Sequence, residues 1–531
     1  MTDEIRSRLA RLDRLSVMSR ASARHYRGRA VPAMAQLREE LGVEYALVGI
    51  VNWQASDTGP SDVRVTAEVI DVTEDTVLWT DSFQAALADP FAVQSRIATE
   101  VTDVLGLALA ETERAELLAR PTDNLEAHTQ YLKGNLYLNR AREVIAPGDT
   151  YFAIEFLDRA VELDPGFALA QARLSVAHSW LWEQYEDRTV ARLALARDAA
   201  DTAYQLAPTL PDARYARGLV FLAEGRKTLA RDEFEALLAT QPSNAEAHEA
   251  LSFLQRDLGD WHASNESMAR AAELSPRDGR LHCWAGGGSF GLREFDDAID
   301  YHLRAIALRP DRACPYVCMI NIYVEADGDT AGARAFLDQE IPAEVGRDGR
   351  PPIAYARVML DVLDGDFETA LDQLASGEPS VYEFLNYYLP KDLVRAQIRG
   401  WMGRPGDGRQ DYERARAHLE AALEAQPDDD RMHSALGLAY AGLGLRDEAI
   451  AAARRGVEIL DLGQEADEGL GFRIRDLAQV LVMVDEHEEA ITQLERLLAV
   501  PAFFSTGSLA IDPAWAPLRD LPRFQALLEV A

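Results

Sequence analysis

Apolar residues recur on two different periods along the chain. Over residues 3–13 (DEIRSRLARLD) they fall at Ile5, Leu9 and Leu12, a helical spacing, and the following LSVMS reads as a short strand. Pro32 to Leu41 forms a second helix. Glu44 to Gln54 (EYALVGIVNWQ) is an apolar strand, Asp57-Thr58-Gly59-Pro60 a turn, and Val63, Val65, Ala67 and Val69 alternate along a second strand. Thr76 to Phe83 makes a third, and a long helix is expected from about Pro90 to Ala119. Residues 1–120 therefore read as a small α+β domain with an antiparallel sheet.

From Leu125 onward the pattern is helical and repeats. Pro208, Pro242, Pro276 and Pro310 are each 34 residues apart, and each closes an Ala-rich amphipathic phrase (AYQLAP, ALLATQP, RAAELSP, RAIALRP). VELDP at Pro165 and LEAQP at Pro427 end the same way. Numbering each unit so that its proline is position 32, small residues recur at position 20 (Ala230, Ser264, Ala298) and position 27 (Ala271, Ala305). The clearest unit begins at Arg431, with Leu436, Gly437 and Tyr440 at positions 7, 8 and 11 and Ala449 at position 20. Small residues at 8, 20 and 27 let two antiparallel helices approach, large ones at 4, 11 and 24 fill the space between, and the proline stops the second helix. A single hairpin cannot bury its apolar face alone, so neighbours stack.

Leu-Gly-x-x-Tyr, then Ala, then Pro on a 34-residue period resembles the tetratricopeptide repeat. About ten units are expected over residues 121–504. Those ending at Pro165, Pro208 and Pro427 carry insertions, and those around Ala333, Ala370 and Ala490 are degenerate. Residues 505–531, with helix-breaking prolines and a final amphipathic turn, read as a terminal cap. The fold class is mostly α: an α-α superhelix preceded by a small α+β domain. The phrases ELGVEYALVGIV, DVRVTAEVIDVTEDTVLWTDSF, DPFAVQSRIATEV and DNLEAHTQYLKGNLYLNR resemble the TolB amino-terminal-like (FlgO-like) domain. That domain precedes such arrays in bacterial Ser/Thr kinases, adenylate cyclases and CadC-like regulators. The resemblance implies a regulatory half whose effector domain lies upstream, and it carries no catalytic residues. In that family a hydrophobic strand comes before the helix that here begins at Thr2, so the sheet is expected to lack its first strand.

Composition narrows the function classes. With 54 Lys plus Arg against 88 Asp plus Glu, the net charge of −34 disfavours nucleic acid and anionic lipid as main partners. Residues 1–120 hold 13 basic and 19 acidic residues, leaving 41 against 69 on the array and cap, so a basic or mixed-charge protein partner is expected. An exception is local: residues 1–31 carry eight Arg and three acidic residues, and SRASARHYRGRA reads as a loop paired with the protein's own acidic surface. No apolar run approaches 18 residues, and the chain as encoded is expected in the cytoplasm, or outside the inner membrane if it derives from a longer anchored parent. Cys283, Cys314 and Cys318 cannot build a disulfide framework and read as plain buried thiols.

The motifs of chemistry resolve into packing. Gly286-Gly287-Gly288-Ser289-Phe290-Gly291 satisfies GxGxxG, but it falls inside a repeat helix instead of between a strand and a helix, and at most it marks a soft joint. His248, His282 and His433 share position 4, while His178 and His302 occupy positions 11 and 24, which are structural places. HEEAI at His487 lacks the second His of a zinc peptidase, and none of the three lysines (Lys133, Lys227, Lys391) follows a glycine as a P-loop needs. No catalytic, cofactor or metal residues are assigned. The expectation is a non-enzymatic scaffold or sensor whose first helices line a groove for a protein or peptide. By repeat register the lining is Tyr215, Leu219, Leu222, Glu249, Phe253, Arg256, Arg280, Phe290 and Asn321. Aromatics and Arg there suit an interface.

Overall fold

Helices end where the prolines place them. The second helices of four successive units stop at Leu206, Thr240, Leu274 and Leu308, each two residues before the 34-spaced prolines. The computed structural model describes residues 2–529 apart from 11, 13, 27–31, 55–61, 87–89, 145–146, 185, 343–344, 346–350, 376–379, 385 and 462–467. The turn expected at Asp57–Pro60 lies outside the described residues. The chain divides into two compact units, one of residues 1–251 with 270–278, the other of residues 252–269 with 279–531.

The first unit begins with α1 (Thr2–Leu9), α2 (Arg20–Arg24) and α3 (Met34–Leu41), followed by an antiparallel sheet of β1 (Tyr45–Gln54), β2 (Asp62–Asp71) and β3 (Thr76–Ala86), with β2 central. Alternation along β2 puts Val65, Ala67 and Val69 into a core with Ile5 and Leu9 of α1 and Ile97, Ala98 and Val101 of α4 (Pro90–Val104). Leu15–Ser19 forms no strand; Leu15 and Val17 do pack against that core, so their alternation reports burial without a ladder. The long helix is two, α4 and α5 (Glu111–Leu118), because Gly106 turns left-handed at φ 67° and the Leu107 N–H closes onto the Thr102 carbonyl at 2.9 Å.

Helical hairpins follow: α6 (Leu125–Val144) with α7 (Pro147–Leu163), α8 (Ala168–Glu183) with α9 (Val190–Leu206), and α10 (Pro211–Ala223) with α11 (Lys227–Thr240). After α12 (Ala245–Asp257) and α13 (Trp261–Leu274), the second unit continues with α14 (Gly279–Gly291) on α15 (Phe295–Leu308), α16 (Ala313–Asp327) on α17 (Thr330–Gln339) and α18 (Pro351–Leu363) on α19 (Phe367–Ala375). A hairpin of β4 (Val381–Phe384) and β5 (Tyr387–Pro390), which the sequence reading missed, precedes α20 (Lys391–Trp401) on α21 (Pro405–Ala425). The last pairs are α22 (Asp430–Gly442) with α23 (Arg446–Asp461) and α24 (Glu468–Met483) with α25 (His487–Leu498). The C-terminal segment holds α26 (Thr506–Ile511), a 3-10 turn (Pro513–Leu518) and α27 (Pro522–Leu528), and it buries Trp515, Leu518 and Phe524 in the core of the last hairpins.

The small-large complementarity is visible atom by atom. A methyl at Gly218 would overlap the ring of Phe234, and one at Gly286 would lie 2.8 Å from His302, which is position 8 against position 24 in both units. Ala230, Ala298, Ala333, Ala370, Ala449 and Ala490 are all fully buried, so the degenerate units keep the same close contact. Helix α14 passes through the run Gly286–Gly288 unbroken, and the missing side chain of Gly288 makes room for Asn265. His248 and His433 bond through Nε2 to the Pro242 and Pro427 carbonyls at 2.9 and 2.8 Å, which gives position 4 a structural duty.

Candidate functional site

In the first unit, the first helices of consecutive hairpins carry an internal ion-pair ladder. Arg142 of α6 reaches Glu246 and Glu249 of α12 at 2.7 and 3.3 Å, and Arg173 of α8 reaches Asp212 of α10 at 3.0 Å and Glu246 at 3.5 Å. Burial would push the Glu246 carboxyl up, but Arg173 and Arg142 outweigh it and bring it down to about 2. Tyr215 is buried and its hydroxyl is pushed well above its ordinary range by burial. Among the register-assigned residues, Tyr215 and Glu249 thus sit inside this ladder, while Leu219 and Leu222 are half-buried.

The N-terminal elements pack on the same hairpins. Phe91 of α4 meets His128 of α6 edge-on at 4.4 Å between ring centroids, and burial pushes His128 down to about 4. Arg277, just past α13, binds Glu40 of α3 at 2.6 Å and His25 at 2.8 Å, and its N–H donates to Ser22 Oγ at 3.2 Å. The SRASARHYRGRA stretch is thereby tied to the protein itself at Ser22 and His25; Arg27 and Arg29 lie outside the described residues.

In the second unit an aromatic cluster surrounds Arg256. Its guanidinium lies 5.1 Å from the Phe253 ring, 5.8 Å from Trp261 and 6.0 Å from Trp284, and Phe253 meets Trp284 edge-on at 5.3 Å. Phe253, Arg256 and Trp284 are half-buried. Arg280 is half-buried too, Asn321 is exposed, and Phe290 is only 2% exposed because Phe503 covers it at 5.2 Å. Phe253 and Arg256 are among the register-assigned residues; Trp284 and Trp261, which join them in the cluster, are not.

Phe503 belongs to a strap that returns from the C-terminal end. The Ala502 N–H donates to the Gly291 carbonyl at 2.9 Å, and Arg293 donates to the Phe504 and Val500 carbonyls at 3.2 and 3.1 Å. Glu325 of α16 accepts from the Ser505 N–H at 2.7 Å and from Ser508 Oγ at 2.8 Å. Burial outweighs those donors and raises the Glu325 carboxyl to about 7. A carboxyl near neutrality suits acid–base chemistry. Here its Oε2 is taken up by Ser505 and Ser508 of the strap, which makes it a latch. Among the described residues no group of three or more His, Cys, Asp or Glu is arranged for a metal ion, and no helix is long and apolar enough to cross a membrane.

The tetratricopeptide repeat family matches this chain over residues 188–252 and 407–463. Those two segments thus resemble tetratricopeptide repeats, within a mostly helical fold with a small three-stranded antiparallel sheet. A protein of Rhizobium meliloti (strain 1021) named "Putative adenylate cyclase 3" is 30% identical over 211 residues, which are 38% of this chain and 34% of that one. Cellulose synthase operon protein C of Xanthomonas axonopodis pv. citri (strain 306) is 26% identical over 58% of this chain and 20% of its own length. The chain therefore spans about a third and a fifth of these two curated relatives. A tetratricopeptide repeat protein from Parabacteroides merdae ATCC 43184 aligns with 46% of this chain and 91% of its own at 14% identity, with a TM-score of 0.32.

Proposed function

We propose that this chain is a non-catalytic protein-interaction module that recognises an extended segment of a basic or mixed-charge protein. Of the register-assigned surface (Tyr215, Leu219, Leu222, Glu249, Phe253, Arg256, Arg280, Phe290, Asn321), the working part is Phe253 and Arg256, joined by Trp284. The observation that carries the reading is this half-exposed Arg-aromatic cluster, since rigid aromatic and Arg side chains dominate binding energy at interfaces. The ladder around Glu246 supports the same view from the other side, because carboxylates already paired with guanidiniums make poor general bases.

The test is a selection of displayed peptides on the intact protein, followed by affinity measurement on variants. Arg256→Ala and Trp284→Ala should each weaken the selected peptides by about tenfold or more, as loss of an interface anchor does. Selected peptides that bind the double variant as tightly as the parent would reject this surface.

A finer reading rests on the Rhizobium meliloti relative: that this chain is the regulatory region of a signalling protein whose effector is an adenylate cyclase, kinase or transcription regulator. In that reading residues 1–120 are the TolB amino-terminal-like domain, residues 121–504 the array and residues 505–531 its cap. An effector domain encoded in frame upstream of Met1 would support it; an upstream stop codon in the native gene would sink it.

A further inference from the structure

The three cysteines, scattered in sequence, converge in the second unit. Cys283 of α14 and Cys314 of α16 hold their sulfurs 3.0 Å apart, and the Cys318 thiol hydrogen-bonds with both. None is in a disulfide, and each keeps part of its surface accessible. The convergence follows from the repeat: Cys283 and Cys314 are 31 residues apart on the first helices of adjacent hairpins, so stacking brings one helical turn of each face to face.

The surroundings single out one sulfur. Hydrogen bonds from the Cys283 and Cys318 thiols, with the positive charge of Arg312 nearby, hold the Cys314 thiol well below its ordinary range, whereas Cys283 is pushed up. Cys314 also lies in the first turn of the 15-residue α16, where the helix dipole favours a thiolate. Buried beside them, His302 has no hydrogen-bond partner on either ring nitrogen, and burial holds its ring neutral next to Cys314.

We propose that Cys314 and Cys283 form a reversible dithiol–disulfide site, with Cys314 as the nucleophile and a hydroperoxide as the oxidant. The Cys314 thiolate attacks one oxygen of hydrogen peroxide, the O–O bond breaks, and the leaving hydroxide takes a proton to become water. The product is a sulfenic acid on Cys314. The Cys283 sulfur then attacks that sulfur, the S–O bond breaks, and the hydroxyl leaves with the Cys283 proton as a second water. Two thiols and one peroxide thus give one disulfide and two waters, and an added dithiol reverses the change. Cys318 shares a helix face with Cys314 four residues away, where parallel Cβ directions disfavour a bond, so it acts as a hydrogen-bond donor to the pair. Oxidation would pin α14 to α16 beside Trp284.

The intact protein is treated with less than one equivalent of hydrogen peroxide, and its cysteine peptides are mapped by mass. The expected product is a Cys283–Cys314 crosslink lacking two hydrogens, formed about tenfold or more faster than in the urea-unfolded chain and reversed by dithiothreitol. Cys283→Ser should stop at a dimedone-trapped sulfenic acid on Cys314, and Cys318→Ser should still form the crosslink. Equal rates in folded and unfolded chains, or a wild-type crosslink through Cys318, overturn the proposal without recourse to any variant.

Discussion

Protonation of Glu325 should decide how firmly the strap is held. The carboxyl lies between α16 and the strap, accepting from the Ser505 N–H at 2.7 Å, Ser505 Oγ at 3.2 Å and Ser508 Oγ at 2.8 Å, with Arg475 and Arg293 as the charges that bear on it. Its value rises from the ordinary 4.5 to about 7. Raised in the folded state, it contributes stability that is complete below about pH 4.5 and lost as pH rises through about 7. The difference between the two protonation states is worth about 3 kcal/mol at most, or a few hundredfold in the equilibrium for strap opening. Hydrogen exchange of the Ala502 and Ser505 amides, corrected for the intrinsic pH dependence, measures that opening directly. The strap should open more readily at about pH 8 than at about pH 5, and Glu325→Gln, which keeps the shape without the charge, should remove most of that change. A Glu325→Gln protein that retained the full pH dependence would refute the assignment.

Two other expectations follow from the packing. Gly218→Ala puts a methyl into the Phe234 ring and should cost about 1–3 kcal/mol in urea unfolding of the first unit, as overpacked cores do; an unchanged midpoint would show that Phe234 can move aside. Burial holds His128, His178 and His302 down to about 4. Their stabilising effect should therefore be present above about pH 6.5 and lost as pH falls towards 4, and their ring resonances should not titrate between about pH 7.5 and pH 5. A midpoint near pH 6.5 at any one of them would contradict its buried environment.

The repeat was legible because its determinants are local. A proline two residues past each second helix, an alanine at position 20 and a glycine at position 8 each act within one hairpin, so 34-residue spacing alone locates them. Non-local features left little trace. The pairing of β4 with β5 rests on four-residue strands that no turn signal announced. The strap joins Arg293 to Phe504 across 211 residues, and nothing in the phrase AVPAFFS names its acceptor. The cysteines lie between these cases. Their 31-residue spacing is close enough to the repeat to suggest a meeting, but which sulfurs meet depends on the rotation of α14 against α16.

The strap also changes how the second unit should come apart. An open stack of repeats behaves as a row of neighbours in which an end hairpin can fray while the others remain. Bonds from Arg293 and Gly291 to residues 500–504 tie one end of such a row to the other, so the hairpins between them form a closed circuit. Any hairpin from α16 to α25 that melts must strain or break that closure, and the loss is shared by all of them. Unfolding of this unit should accordingly be a single cooperative event, unlike the sequential fraying expected of an unclosed array of equal length.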